Sequence, residues 1–269
     1  MRITSWNLLH AEAIPPDPAA DNGALLRAQI AQLRTDVIAL QEVDYFLERS
    51  GSHNQVGKIA AMMGAAHWAF APSLMGSPDD DWRNLNNNDL KVVTDKSEVA
   101  LAGYGIGMVS KIPVLSWHRL DFKGSPIGVL MAFPVDGKMK RVYVRDHPRS
   151  ALAAILDNGW LIINTHLSFV PFFNFAQLIK IKRWANTLGV SDQSKILIVG
   201  DMNIPFAFFV GGFKWRSLAA QRTFPSWYPK LQLDFILSQK LRRDDVRHLQ
   251  YPHLGISDHL ALQIEVDVN

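Results

Sequence analysis

Six apolar segments of this 269-residue chain each carry an acid, an amide or an imidazole at one end. Asn7 closes ITSWN, Glu42 closes VIALQE and His166 closes LIINTH. Asp201 and Asn203 end ILIVGDMN, Asp234 opens LDFIL, and ISDH, with Asp258 and His259, precedes LALQIEV. Each case alone reads as a turn or cap, because Asn and Asp satisfy backbone donors at such places. Six together describe polar groups converging at strand ends, the pattern of a binding site in a layered α/β protein.

The chemistry such a set supports is metal-assisted hydrolysis. The chain has no cysteine, so thiolate ligands, thiol nucleophiles and disulfides are excluded. Oxygen ligands suit a hard divalent ion such as Mg²⁺ or Mn²⁺. Glu42 with Asn7 offers one oxygen cluster and Asp258 another. Two histidines supply donors for charge that develops on phosphate oxygens. Asp201 is placed to align or deprotonate a water, with Asn203 beside it to hold that water or a phosphate oxygen. Alternation along an extended segment predicts residues 201 and 203 on one face.

These residues need elements to hold them. DNGALLRAQIAQLR opens with the capping residues Asp21 and Asn22 and carries Leu26, Ile30 and Leu33 at helical spacing. NQVGKIAAMMG reads as a second helix closed by Gly64, and FNFAQLIKIKRWANTLG as a third with Leu178, Ile181, Ala185 and Leu188 on one face. HWAFAPS, YGIGMVSK, KILIVG, LDFILS and LALQIEV read as strands. RSALAAIL and WLIINTHLS form a predicted hairpin around Asn158-Gly159. Residues 74 to 98 are polar and turn-rich, and read as one long surface loop. Strands outnumber helices and run consecutively, which points to two packed sheets with helices outside.

Bulk composition adds bounds. Hydrophobic content of 48% and charged content of 20% belong to a globular chain with a sizeable core. Without repeats or linkers, residues 1–269 read as a single domain. A formal net charge of +3 permits a phosphate-bearing partner without demanding one. No apolar run reaches the roughly 18 residues of a membrane span, and the N-terminus lacks the zones of a cleavable signal, so a cytoplasmic location is the expectation.

The segments WN, LQEVD, NTHLS, VGDMNIP, LDFILS and SDHLAL stand in the order and rough spacing of the endonuclease/exonuclease/phosphatase superfamily, and the chain resembles its DNase I-like members from Asn7 to His259. The resemblance implies a four-layer α-β-β-α sandwich, two mostly antiparallel sheets flanked by helices, with the active site at one sheet edge. It implies Glu42 as principal metal ligand with Asn7 beside it, and Asp258 as an auxiliary metal-site carboxylate. Asp201 then activates the water, Asn203 orients it, His259 and His166 face the phosphate, and Asp234 holds the far nitrogen of His259. The presence of His166 sets the chain apart from the abasic-site repair branch.

The resemblance implies a phosphate-ester substrate, a phosphodiester ahead of a phosphomonoester, with a nuclease-like substrate favoured and nucleic acid as one possible partner. A lipid head-group ester of the phosphoinositide or sphingomyelin type is the alternative, as is a binding module that has lost catalysis. Arg145 and Arg149 in RDHPRSAL precede a strand, as substrate-contacting arginines do in some superfamily members; a solvated basic turn is the plainer reading. FVPFFNF after His166 is expected to pack on the sheet, with lining a cleft or touching lipid as its other uses. SDH is no serine triad, because neighbours on an extended segment face opposite ways.

Overall fold

The structure is a computed structural model, describing residues 1–89, 91–97, 102–135, 138–212 and 214–267. Its β-branched and apolar runs pair into two sheets. The first contains β1 (Arg2–Asn7), β2 (Val37–Tyr45), β3 (His67–Gly76), β4 (Trp82–Arg83), β5 (Val93–Thr94), β6 (Gly103–Ser110), β15 (Val246–Leu249) and β16 (Leu262–Val266). They lie in the order β15-β16-β1-β2-β6-β3-β4, with β5 also on β3. The second holds β7 (Val114–Phe122), β10 (Arg149–Leu156), β11 (Leu161–His166), β12 (Ile196–Asp201), β13 (Arg216–Ser217) and β14 (Asp234–Ser238), in the order β13-β14-β12-β11-β10-β7. A separate hairpin is made by β8 (Val129–Val135) and β9 (Lys138–Val144).

Only β1–β2 and β11–β12 pair in parallel; the other named strand pairs are antiparallel. A parallel pair needs a crossover, and a helix supplies each one. Helix α1 (Asn22–Leu33) joins β1 to β2, and α3 (Phe173–Ala185) joins β11 to β12. Each crossover returns the chain in the same direction, so both strands of a pair end at the same edge. The carboxyl ends of β1, β11 and β12 thus bring Asn7, His166 and Asp201 together.

Four layers follow from the burial pattern. Leu26, Ile30 and Leu33 of α1, with Val56 and Ile59 of α2 (Gln55–Met63), pack on Ile38, Leu40, Phe70 and Val109 outside the first sheet. Between the sheets, Ile3, Val37, Ile106 and Ile264 meet Leu152, Ile162, Leu197 and Val199. Outside the second sheet, Leu178, Ile181 and Ala185 of α3 cover Ile163, Ile198 and Phe235. Asp21 caps α1 by accepting the Ala24 N–H at 2.9 Å, and Asn54 caps α2 through Gly57 at the same distance. One polar link crosses the apolar middle layer. Gln41 Nε2 donates to Asn164 Oδ1 at 2.7 Å, while Asn164 Nδ2 donates to the Leu40 and Gly107 carbonyls. Breaking it would leave buried amides unpaired, so it fixes one sheet against the other just below the functional edge.

The expected loop over residues 74–98 is corrected in part. Strand β3 runs on to Gly76, and β4 and β5 fold back to pair with it; positions 90 and 98 lie outside the described residues. Strand pairing wins there because it satisfies backbone groups that a polar composition alone leaves open. Among the described residues no helix is long and apolar enough to cross a membrane, a statement about helices alone.

Candidate active site

Local backbone irregularity places the site. Glu42 was expected to close its strand, yet β2 continues to Tyr45. Glu42 sits within a register shift between Leu40 and Val43, at φ 52°. The bulge turns its carboxylate out of the sheet's alternation toward Asn7. Asn203, expected to share a face with Asp201 by alternation, instead has φ 49° beyond the end of β12. Its position is set by an Asx-type contact, the Asn203 N–H donating to Asp201 Oδ1 at 2.8 Å. Ser257, beside Asp258, has φ 67°. Three non-glycine residues in the left-handed region at one edge mark stored strain, which clusters at functional sites.

The side chains meet across the two sheets. Asn7 Nδ2 donates to Glu42 Oε1 at 2.9 Å and to Asp201 Oδ2 at 3.1 Å, while Asn7 Oδ1 accepts the Leu9 N–H. His166 Nε2 lies 3.6 Å from Asp201 Oδ2 and 3.9 Å from Glu42 Oε1. His259 Nε2 approaches the same Asp201 oxygen at 3.8 Å, and its Nδ1 is 2.7 Å from Asp234 Oδ2. Asn203 Nδ2 is spent on the Leu167 carbonyl at 3.0 Å, leaving its side-chain oxygen for other partners. Asn7, Glu42, His166, Asp201, Asn203, Asp234 and His259 are therefore one cluster, and Asp258 adjoins it through His259.

Burial and charge set the proton positions. Burial pushes the Asp201 carboxyl up to about 7, with Asp234 adding to the rise and His259 opposing it. Burial likewise lifts Asp258 to about 6, helped by the charge of Glu42. For His259, burial works against the charged form, but the carboxylates of Asp234, Asp201 and Asp258 outweigh it and carry the imidazole to about 10. His166 goes the other way: burial, then the guanidinium of Arg149 and the neighbouring imidazoles of His147 and His259, hold it well below the ordinary histidine range. The two histidines therefore face one carboxylate in opposite states near neutral pH, one charged and one neutral.

The donor set fits a divalent cation. Four carboxylates converge, and among the described residues no lysine or arginine lies within ion-pair distance of Glu42, Asp201, Asp234 or Asp258. Asp234 Oδ1 and Asp258 Oδ1 are buried with no hydrogen-bond partner. Ligand atoms of Asp201, Asp234 and His259 all lie within 4.8 Å of one another. However, His259 and Asp234 bond each other there, and a charged imidazole is no ligand. The oxygen of Glu42, partly open to solvent, is the better anchor for a hard ion.

Three neighbours escaped the sequence reading or were read otherwise. Tyr104 is buried, its hydroxyl raised by burial and by Glu42. His147 stacks edge-on against it at 5.4 Å and is lowered well below its usual value by burial and Arg149. Tyr104 sits mid-strand in an apolar run, where nothing in the sequence separates it from core. Arg149 is no solvated turn residue: it is 3% exposed, its Nη2 lies 3.5 Å from Asp146 Oδ1, and its Nε and Nη1 have no partner. Arg145 is exposed, as a solvated turn predicts.

Two mixed sheets packed face to face, with carboxylates, amides and imidazoles gathered where their parallel pairs end, define a DNase I-like fold. The chain belongs to the Endonuclease/Exonuclease/phosphatase family, which it matches over residues 4–259. Among solved structures it resembles an endonuclease/exonuclease/phosphatase from Beutenbergia cavernae, at 17% identity and a TM-score of 0.58, covering 99% of this chain and 71% of that one. It also resembles the mannosyl-6-phosphatase Bt3783 of Bacteroides thetaiotaomicron, at 14% identity and a TM-score of 0.58, covering 98% of each chain. The human Nocturnin catalytic domain, with bound sulfate, aligns at 16% identity and a TM-score of 0.56 over 98% of this chain and 93% of that one. No curated protein sequence matches the chain.

Proposed function

We propose that this protein is a Mg²⁺- or Mn²⁺-dependent phosphoesterase that hydrolyses a phosphodiester by in-line attack of water. The observation that carries this reading is the meeting of Asp201 with a neutral His166 at 3.6 Å and a charged His259 at 3.8 Å. Glu42, with Asn7 and Asp258 nearby, would hold the divalent ion, which supplies Lewis-acid polarisation of the phosphoryl oxygen when bound. Asp201 is the water-aligning base, because its Oδ1 is fixed by the Asn203 N–H while Oδ2 faces the two histidines. A carboxylate near 7 suits proton transfer at neutral pH. His259, held charged by Asp234, donates to a phosphoryl oxygen as negative charge accumulates there. His166 offers a neutral N–H to the opposite oxygen. Arg149, buried with unpartnered nitrogens, supplies fixed positive charge beside His166, and the exposed Arg145 meets substrate farther out.

Support for this reading also comes from the family, whose neighbours include a phosphatase and the Nocturnin domain with its sulfate anion. The site chemistry is indifferent to the alcohols flanking the phosphorus. Nucleic acid stays a candidate substrate on that ground. Turnover of bis-p-nitrophenyl phosphate with Mg²⁺ or Mn²⁺, abolished by EDTA, is the expected result. Binding of that ester without turnover under any divalent ion would overturn catalysis and leave a phosphate-binding module.

A further inference from the structure

Two segments leave the site edge and return to it. The first follows His166 and forms the start of α3. The second follows Asn203 through α4 (Ala207–Gly211) and runs on through the 224–231 loop, where the Phe224 ring lies 5.0 Å from that of His259. Asn174 Nδ2 at the head of α3 donates to the Asn203 carbonyl at 3.1 Å, and Lys182 Nζ donates to the Val210 and Gly211 carbonyls. These contacts tie α3 and α4 into one face beside the reacting residues.

That face is apolar and exposed. Phe172 is 83% exposed and Phe208 76%, with Phe206 and Phe209 also more than half exposed. Phe209 packs edge-on against Phe175, Phe206 and Phe208 at 5.7–6.0 Å between ring centres. Phe172 precedes the first turn of α3, and Phe175 and Ile179 follow it at helical spacing, Ile179 exposed and Phe175 partly buried. In the loop that carries Phe224, Trp227 and Tyr228 stand 64% and 65% exposed, with Lys230 Nζ 4.9 Å over the Tyr228 ring. Large apolar side chains exposed in this number beside one site mark an interaction surface.

Charge says what covers it. From Leu167 to Val190 and from Ile204 to Leu231 there is no aspartate or glutamate, whereas Lys180, Arg183, Lys214 and Lys230 lie in those segments. The acids of this face are confined to the site itself. Apolar side chains flanked only by cations suit a surface with a hydrocarbon interior and anionic head groups, which attracts basic residues electrostatically and accepts aromatics at its boundary. Single-stranded nucleic acid also favours aromatics with cations, but it needs separated platforms on which bases stack. Here Phe175, Phe206 and Phe208 pack edge to face on the one ring of Phe209, and Ile179 offers no stacking surface.

We propose that the α3–α4 face and the 224–231 loop dock this protein on anionic lipid bilayers, presenting the site to phosphodiester head groups; the second clause rests on the phosphoesterase reading, the docking does not. The test is co-sedimentation in EDTA with phosphatidylcholine vesicles and with vesicles that also contain phosphatidylglycerol. The wild type should pellet with the anionic vesicles and be released by salt. The double variant F172S/F208S should bind about tenfold more weakly or worse, given what a buried phenylalanine contributes, while its turnover of soluble bis-p-nitrophenyl phosphate is unchanged. If that variant does not fold, K180E/K230E should show the same loss of vesicle binding. Failure of the wild type to pellet, equal binding by the folded variants, or retention by single-stranded DNA in place of vesicles would overturn docking. A dimer dissolved by F172S/F208S, with no vesicle binding, would also overturn it. Vesicle binding without any phosphoesterase turnover would retain the docking and reject only the hydrolytic reading.

Discussion

Asn7 and Asp201, 194 residues apart in sequence, are joined by a hydrogen bond of 3.1 Å that spans the two sheets. The same amide nitrogen donates to Glu42 at 2.9 Å, so one neutral side chain spaces two carboxylates of opposite sheets. An amide does this without cancelling their charge. The negative potential needed to attract a divalent ion is preserved, and the carboxylates are kept from collapsing on a lysine or arginine. The same arrangement exposes what each residue contributes, because each can be changed while the scaffold is kept.

On the proposed role of Asp201 as water-aligning base, Asp201→Asn should lower kcat by about two to four orders of magnitude, the usual worth of a general base. That corresponds to roughly 3 to 5 kcal/mol of barrier. Stability should move the opposite way. The native carboxyl titrates near 7 against an ordinary value of 3.8. Between those values the unfolded chain ionises first and folding is penalised; above about 7 the penalty is constant. In EDTA, the melting temperature of Asp201→Asn should therefore exceed that of wild type by a margin that grows from about pH 4 to about pH 7, then levels. An Asp201→Asn protein that melts earlier and keeps its kcat would make the residue a strand cap.

Glu42→Gln should raise the metal concentration for half-maximal activity by about tenfold or more, since an amide oxygen lacks the charge of a hard-ion ligand. At saturating Mg²⁺ or Mn²⁺ part of kcat should return. Activity titrations with both ions check this, and an unchanged half-saturation point would remove Glu42 from the metal site.

Asp234→Asn tests the imidazole. Burial disfavours the charged form of His259, and Asp234 at 2.7 Å is the first group that reverses this. With that charge gone, the His259 titration followed by NMR should move down from about 10. If the charged imidazole is the catalytic form, the alkaline limb of the pH–rate profile should shift to lower pH by the same amount. A His259 titration identical to wild type would break the pairing.

Much of the site was legible because its residues end apolar strands, and strand ends are visible as changes in composition. Asn7, His166, Asp201, Asp234 and His259 could all be marked that way. What produced the geometry was less visible. Glu42 depends on a bulge inside β2, and no residue in VIALQEVDY signals where a ladder will slip. Asn203 reaches the site through a left-handed turn, although alternation gives the same neighbour for the wrong reason. Burial of Arg149 is a tertiary property: β10 is central enough to enclose even a guanidinium, while Arg145 four residues earlier remains in solvent. The β8–β9 hairpin went unread because its alternation is weak beside the continuous apolar runs of the two sheets.

The glycine in VGDMN is the last element that the chemistry requires. Gly200 has φ 141°, and a Cβ built there would meet the Thr165 carbonyl oxygen at 1.9 Å. That oxygen belongs to β11, the parallel partner of β12, in a register that also pairs His166 with Asp201. A side chain at 200 cannot escape by changing rotamer, because the obstacle is backbone. The strands must separate, or β12 must rotate. Gly200→Ala should thus cost about 3 kcal/mol or more, at the upper end of what overpacking a core does. For a chain of this size that is a fall of roughly 6 to 12 °C in melting temperature. Any protein that folds should also show kcat reduced more than Gly107→Ala, whose added methyl would meet first the Val56 side chain, at 2.5 Å. Parallel melting and kcat measurements on the two variants decide the matter. If Gly200→Ala were as stable and as active as wild type, close approach of β11 and β12 would not be what sets Asp201 opposite His166.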